Sequence, residues 1–206
     1  VQACDFVEAL DVRDGSRIWQ YRREQVEHRA NLACVNRNGA LYQDKLFIAT
    51  HGAHLVGLNV RTVDVEWDVE VGDWTVGQHY SGGPMVIKGR VVAGMSGCYH
   101  LNTRCWVSAH DVETGAEVWR TYTIPARGEF GYDSWGDIPD EDRRGGSAWN
   151  APSFDPELNL IFTGVGVPIP WGSVQRGIED GDVLYTNSTL ALDADTGDIV
   201  WYFQHI

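Results

Sequence analysis

The stretch Ala191-Leu-Asp-Ala-Asp-Thr-Gly-Asp-Ile-Val-Trp201 decides the fold, because the chain repeats its pattern three more times. The other copies end at Trp19, Trp67 and Trp119. Each copy reads as a short apolar strand, a polar turn and a second strand that ends in tryptophan. A unit that recurs every 40 to 80 residues or so predicts a repeat architecture rather than a single layered sheet.

A rhythm of four short strands surrounds these tryptophans, and four antiparallel strands per repeat are typical of a β-propeller blade. No stretch shows a sustained 3.6-residue apolar period, so we predict an all-β chain. In the last unit we expect strands at 149–154, 158–165, 184–192 and 199–204. The sequence predicts blade fragments with an insertion between the third and the fourth, at 1–22, 33–71, 81–123 and 149–206, with the insertion at 124–148. A second excursion, 168–182, interrupts the last unit, and long loops of this kind are often functional.

The turn of the repeat places Thr-Gly where the backbone needs a positive φ, and glycine adopts that conformation most readily. Val63 takes the glycine position in the second copy. A β-branched residue is a genuine outlier at positive φ, so this turn either has another geometry or is strained. We expect each tryptophan ring to fill the wedge between neighbouring blades, with its indole N–H reaching a carbonyl of the adjacent repeat.

The formal net charge of −13 argues against nucleic-acid binding, where a basic face supplies much of the affinity. A solvated acidic surface is the simpler interpretation, and a basic electron-transfer partner is the alternative. Nothing approaches 18 consecutive apolar residues, so the sequence predicts no membrane span.

Four cysteines make an even number without a Cys-x-x-Cys pair. Cys98 and Cys105 flank a six-residue loop between two predicted strands, and a disulfide would close that loop. Cys4 and Cys34 are a second candidate pair. Structural disulfides would indicate an oxidising compartment, whereas four buried free thiols are the alternative.

The repeat resembles the tryptophan-docking motif of the pyrroloquinoline quinone (PQQ)-dependent alcohol dehydrogenases, which include methanol and ethanol dehydrogenases. More specific stretches carry the resemblance across essentially the whole chain: Val35-Asn-Arg37, Gly94-Met-Ser-Gly97, Gly145-Gly-Ser-Ala-Trp149, Phe154-Asp-Pro-Glu-Leu-Asn-Leu160 and the Pro-x-Pro-Trp of 168–171. The resemblance implies about three to four blades from the N-terminal portion of a periplasmic eight-bladed propeller.

The resemblance also implies a set of cofactor-binding residues: Arg37, Ser81, Ser96, Gly97, Cys98, Ser147 and Trp149. Arg37 matches an arginine that reaches the carboxylate and carbonyl oxygens of PQQ, which suits a guanidinium fork. Ser81 matches a hydroxyl that binds a cofactor carboxylate. Ser96, Gly97 and Cys98 match a segment lying against the cofactor edge, where glycine permits close approach.

Ser147 and Trp149 match the Thr-x-Trp of the family, whose indole forms the flat floor under the quinone. Structural interpretations stand beside these assignments. Trp149 could be one more inter-blade tryptophan, Arg37 a surface arginine, and each serine a cap for the local backbone.

The chain departs from the family at its metal ligands. The family cofactor works with Ca²⁺ or a lanthanide, and hard cations of this kind take oxygen ligands. A family glutamate is replaced here by Tyr99, or by His100 if the loop is aligned differently, and a family asparagine by Val167. The third ligand is an aspartate, which serves as or beside the general base, in a downstream motif that this sequence does not reach. We therefore predict no metal ligand and no catalytic residue within the chain.

These departures leave three interpretations open: an enzyme with a rearranged metal site, a quinone-binding non-enzyme, or an imperfectly recovered sequence. By resemblance, the function is oxidation of a small alcohol with PQQ and electron transfer to a cytochrome c in the periplasm. We expect no turnover from these 206 residues alone. A cofactor-free β-propeller binding scaffold is the alternative, and substrate and oligomeric state stay undetermined.

Overall fold

The computed structural model describes residues 2–3, 5–23, 35–178 and 181–205, and the regular secondary structure within them is almost entirely antiparallel β-strand. The strands are β1 (Gln2–Ala3), β2 (Phe6–Leu10), β3 (Arg17–Arg22), β4 (Ala40–Tyr42), β5 (Lys45–Ala49), β6 (His54–Asn59), β7 (Val65–Glu70), β8 (Met85–Ile87), β9 (Arg90–Gly94), β10 (Trp106–Asp111), β11 (Glu117–Tyr122), β12 (Arg144–Gly145), β13 (Ser153–Asp155), β14 (Leu160–Val165), β15 (Pro168–Ile169), β16 (Ser188–Asp193) and β17 (Ile199–Gln204). A single α-helical turn, α1 (Ser173–Arg176), and 3₁₀ turns at Trp74–Val76, Tyr132–Trp135 and Asp140–Asp142 complete the described elements. None of the helices in this part of the chain has the length or apolarity that a bilayer crossing requires.

The strands form successive sheets in which neighbours in sequence are neighbours in space. β1 to β3 form a three-stranded sheet, and β4 to β7 and β8 to β11 each form a four-stranded sheet. In the last sheet the order is β13-β14-β16-β17, because β15 leaves it to pair with β12. Meanders of this kind are the blades of a β-propeller, and the prediction of an all-β blade fold is confirmed.

The hydrophobic core lies between the sheets rather than inside a single sandwich. One cluster joins Val7 of the first sheet to Ile48 and Val56 of the second. Two further clusters join the second sheet to the third and the third to the fourth. Burying each face against the next explains why a single blade pattern recurs along the chain.

The docking tryptophans connect neighbouring sheets as expected. The indole nitrogen of Trp67 donates to the carbonyl of Val112 at 3.0 Å, and that of Trp119 donates to the carbonyl of Ala194 at 3.3 Å. Trp201, at the same register of the last sheet, is 43% exposed. The prediction that the tryptophans fill the inter-blade wedge is therefore confirmed for the two central ones.

The turns before these tryptophans share one backbone conformation. Gly15, Gly115 and Gly197 have φ values of 75°, 73° and 79°. Val63 has φ 66°, so the second turn keeps the common geometry and places a β-branched residue in the left-handed region. Of the two possibilities that the sequence left open, strain is the one observed.

Two strands of the last sheet begin later than predicted, at Ser153 instead of 149 and at Ser188 instead of 184. Before Ser153 the chain packs against the third blade instead: the amide of Ala148 donates to the carbonyl of Met95, directly after β9, at 2.9 Å, and the carbonyl oxygen of Trp149 packs closely on Gly82. Residues 184–187 form a turn, in which the amide of Tyr185 donates to the carbonyl of Thr123 at 3.0 Å. These peptide groups are satisfied by neighbouring elements and do not extend the sheet.

The insertion at 124–148 is ordered around its own small core. Trp135 is fully buried with Ile124, Ile138 and Val183, and its indole nitrogen donates to the carbonyl of Leu184 at 2.6 Å. The insertion therefore packs against the second excursion of the last unit, and both lie at the strand ends that carry the predicted site.

Candidate functional site

Arg37 and Ser81 meet where the loop before β4 crosses the segment before β8. The guanidinium Nη1 of Arg37 donates to the backbone carbonyl of Ser81 at 2.8 Å. Asn38 fixes the crossing, since its side-chain amide donates to the carbonyl of Pro84 at 3.1 Å. A cation is thus held beside a partly exposed hydroxyl at the end of two blades.

Trp149 adds an aromatic surface to this pair. Its side chain is 41% exposed, and the guanidinium carbon of Arg37 lies 4.9 Å from the ring centroid. This cation–π contact holds positive charge over the indole face. The backbone of Trp149 is seated on Gly82, where an added Cβ would lie 2.7 Å from its carbonyl oxygen.

The other predicted residues lie beneath this surface. The hydroxyl of Ser96, which is 2% exposed, is 3.1 Å from the hydroxyl of Ser81. Gly97 has φ 78°, and an added Cβ would lie 2.0 Å from the carbonyl oxygen of Gly77. The close approach that requires glycine here is therefore to the protein's own backbone, and not to open space at a cofactor edge.

A disulfide between Cys98 and Cys105 closes the loop as predicted. Both residues are fully buried, and the Cys105 sulfur lies 3.7 Å from the hydroxyl of Ser147. The bridge thus supports the segment that leads to Trp149. The second predicted pair, Cys4 and Cys34, lies outside the described residues.

All seven predicted positions form one chain of contacts, but they differ in what a ligand could reach. Arg37, Ser81 and Trp149 present accessible side chains, whereas Ser96, Gly97, Cys98 and Ser147 are buried. A guanidinium, a hydroxyl and an indole face together suit a planar aromatic molecule that carries carboxylates. The donor set of this surface therefore fits PQQ.

The positions of the family metal ligands do not fit a hard cation. Tyr99 and Val167 carry no carboxylate, and their side chains are exposed at the surface. In the described part of the chain, no group of three His, Cys, Asp or Glu side chains is arranged to hold a metal. Ca²⁺ and lanthanide ions bind mainly through carboxylate and carbonyl oxygens. We therefore assign no metal chemistry to these residues.

An open cleft of about 680 Å³ adjoins Trp149, and sequence reasoning did not identify it. Its walls include Val167 and Asn187, and also His205, whose Nε2 lies 2.9 Å from the hydroxyl of Thr189. Val167 was noted only as a departure from a family ligand position, and Asn187 and His205 carry no motif that could have indicated the cleft. The topology brings them together, because they stand at the ends of β14, β16 and β17 on one side of the last sheet.

A sequence model described as "PQQ: glucose/ethanol/alcohol dehydrogenase, beta-propeller domain" matches residues 2–206. The chain belongs to this family. Membership in the PQQ dehydrogenase propeller family confirms the resemblance inferred from the repeat and the local motifs.

Relatives in this family are similar over nearly the whole chain. Quinohemoprotein alcohol dehydrogenase ADH-IIG of Pseudomonas putida is 37% identical over 212 residues, covering 96% of this chain and 29% of that protein. The 1-butanol dehydrogenase (quinone) of Thauera butanivorans is 33% identical over 229 residues, covering 96% of this chain and 37% of that protein. The present chain thus spans about a third of the length of these dehydrogenases.

Two solved dehydrogenase structures superpose closely on the chain. The structure of ADHIIG from Pseudomonas putida HK5 has a TM-score of 0.87 at 35% identity, covering 97% of this chain and 31% of that one. A europium-containing methanol dehydrogenase has a TM-score of 0.80 at 28% identity, covering 97% and 38%. The blade arrangement described above is therefore that of the family.

Proposed function

We propose that this chain forms the quinone-binding blades of a periplasmic PQQ-dependent alcohol dehydrogenase whose electrons pass to a cytochrome c. The family membership and the alcohol dehydrogenase names of its relatives support the reaction class. The contact between Arg37 and Trp149 supports the cofactor, because it unites a carboxylate-binding group and a stacking platform in one place.

The accessible side chains Arg37, Ser81 and Trp149, which we call the cradle, have different roles in binding. Trp149 offers an apolar face on which a planar ligand can stack, and Arg37 offers forked donors for a carboxylate. The Ser81 hydroxyl adds a donor whose position is set by the buried hydroxyl of Ser96. PQQ, when bound, supplies the two-electron acceptor for alcohol oxidation, while these side chains hold and orient it.

We further propose that quinone binding to this chain does not require a divalent or trivalent cation. The positions that hold the metal in the family carry Tyr99 and Val167, and valine has no side-chain donor. The affinity of the chain then comes from stacking and from the guanidinium, both of which are present without metal.

Titration of PQQ against the 206-residue chain, followed by its near-ultraviolet absorbance and by tryptophan fluorescence, tests this proposal. We expect saturable binding in EDTA that Ca²⁺ or La³⁺ does not strengthen substantially. Arg37→Ala and Trp149→Ala should each weaken binding at least tenfold, which corresponds to about 1.4 kcal/mol.

Matched controls separate the cradle from general surface effects. Arg61→Ala removes an exposed arginine, and Trp201→Ala removes a tryptophan of similar exposure on the outer strand of the last sheet. Both variants should bind PQQ as the parent chain does. Absence of saturable binding with and without metal would favour a cofactor-free scaffold, and binding that appears only with metal would contradict the metal-independent part of the proposal.

A further inference from the structure

The insertion at 124–148 and the second excursion at 168–182 meet at a small cavity beside the candidate quinone site. β12 of the insertion pairs with β15 of the second excursion, with Arg144 opposite Ile169. A cavity of about 150 Å³ lies at this junction. At about 30 Å³ per water molecule, it has room for an anion the size of acetate or phosphate.

The Arg144 side chain lines this cavity, and its guanidinium makes few polar contacts there. Its Nε is buried and has no hydrogen-bond partner within residues 5–23, 35–178 and 181–205. The Asp142 carboxylate is its ion-pair partner, and the separation from Nη1 is 3.9 Å. A guanidinium has five donors in a planar fork, and a donor buried without a partner loses the hydrogen bond that water would give it.

Arg176 reaches the same cavity from α1. Its Nη1 donates to the carbonyls of Pro170 and Trp171 at 2.8 and 2.6 Å, while its buried Nε has no partner among the described residues. Burial lowers the pKa of the Arg176 guanidinium, as expected where no anion compensates the charge. Among the residues that the structure describes, the cavity is thus lined by two cations and one carboxylate, that of Asp142.

Arg143, in the same insertion, is an arginine in which every guanidinium nitrogen has a hydrogen-bond acceptor. Its Nε, Nη1 and Nη2 each donate to a backbone carbonyl, of Ile138, Tyr132 and Gly136, at 2.8, 3.0 and 3.1 Å. Arg143 therefore stabilises the backbone of the insertion. The unused donors of Arg144 and Arg176 therefore do not reflect a general lack of acceptors in this region.

We propose that the cavity between Arg144 and Arg176 binds one small oxyanion, such as a free carboxylate or phosphate. Guanidinium forks pair with the paired oxygens of such anions, and one added negative charge balances the two arginines and Asp142. Because β12 runs directly towards Ser147 and Trp149, a bound anion would also tie the second excursion to the segment that carries the stacking indole.

The test is thermal denaturation of the 206-residue chain, without quinone, in acetate, phosphate or sulfate against chloride of equal ionic strength. A specific anion raises the midpoint in a saturable way, because ligand binding to the folded state stabilises by RT ln(1 + [L]/Kd). General exclusion of sulfate or phosphate raises the midpoint without saturation. We expect a saturable rise of about 2–4 °C and calorimetric titration with one site per chain. The ranking of acetate against phosphate and sulfate identifies which shape of anion the cavity takes.

Variants decide whether the effect belongs to this cavity. Arg144→Gln and Arg176→Gln should each remove the saturable rise, while Arg61→Gln, which removes an exposed arginine, should retain it. Arg144→Lys and Arg176→Lys keep the charge and lose the fork, and should weaken binding at least fivefold in calorimetry even if a glutamine variant fails to fold. Equal rises in the parent chain and in all variants, or no saturable effect of any anion, would overturn the proposal.

Discussion

Val63 has a backbone conformation that suits glycine, and its β-branched side chain makes that conformation strained. Its φ of 66° matches the glycines of the other three turns. Its amide donates to the carbonyl of Asn59 at 2.9 Å, the same bond that Gly115 makes to Asp111. The turn hydrogen bonds therefore hold valine in the left-handed region, where an L-residue pays about 1–2 kcal/mol.

Val63→Gly should accordingly stabilise the chain. Relief of the strain outweighs the extra backbone entropy of glycine in the unfolded state, for a net gain of about 1 kcal/mol. In a chain of this size the thermal midpoint should rise by about 2–4 °C. Val63→Ala keeps the positive φ with a Cβ and should give a smaller change. An unchanged or lower midpoint for Val63→Gly would refute this explanation.

Part of the candidate site could be predicted from single residues, and part depends on contacts that only the folded chain makes. Motif matching identified Arg37 and Trp149, which lie far apart in sequence and in contact in the structure. It could not show that Gly97 packs on Gly77, because that contact depends on how two loops cross. The clustering of Arg144 and Arg176 was equally invisible, since it arises from the pairing of β12 with β15.

At the scale of elements, the docking turns explain why the repeat conserves its pattern within the chain. A Cβ added at Gly115 would lie 2.8 Å from Cε3 of Trp67, whereas one added at Gly15 would meet nothing within 4 Å. The two glycines have nearly the same φ, 73° and 75°. Gly15 is therefore required for its backbone conformation alone, whereas Gly115 is also required because the Trp67 ring packs against it.

Gly115→Ala should destabilise the chain more than Gly15→Ala does. Both variants force alanine into positive φ, which costs about 1 kcal/mol. Only Gly115→Ala also displaces the Trp67 ring and strains its hydrogen bond to Val112, for a total of about 3 kcal/mol. Equilibrium urea denaturation of both variants measures the difference. Equal losses of stability would show that ring contact with the turn contributes little.

The predicted strands fared best where a docking turn fixes their position. In the last unit, β17 matches the predicted strand 199–204, and β16 ends at Asp193, within one residue of the predicted end at 192. The errors at 149–152 and 184–187 occur where no repeat anchors the register. There the backbone packs on Gly82 in the first case and hydrogen bonds to Ser134 and Thr123 in the second, and apolar composition alone cannot distinguish such a segment from a strand.

At the scale of the whole molecule, the stability of the chain depends on pH through buried groups that can take up a proton. His110 is 1% exposed in β10. Its Nδ1 donates to the carbonyl of Gly115 at 3.0 Å, so in the neutral ring Nε2 is the acceptor and faces the Ser108 hydroxyl at 3.0 Å. Burial lowers the pKa of His110 below its ordinary value of 6.5.

The lowered pKa of His110 predicts that acid weakens the fold before the carboxylates titrate. Above pH 6.5 the ring is neutral in both folded and unfolded chains, and stability is complete. As the pH falls from 6.5 through the folded pKa, the unfolded chain takes up a proton that the folded chain refuses, with a limiting slope of about 1.4 kcal/mol per pH unit. The carboxyl of Asp111, whose pKa is lowered chiefly by its hydrogen bond from Thr114, loses its contribution only below about pH 4.

His110→Gln keeps a donor and an acceptor at this position and removes the titration. Between pH 7 and pH 5, the free energy of unfolding of the parent chain should fall more steeply than that of the variant, so their difference changes with pH. Urea denaturation at half-unit pH steps measures both curves. Parallel curves would mean that the folded chain admits the proton, and the packing around His110 would then be looser than its burial and two hydrogen bonds imply.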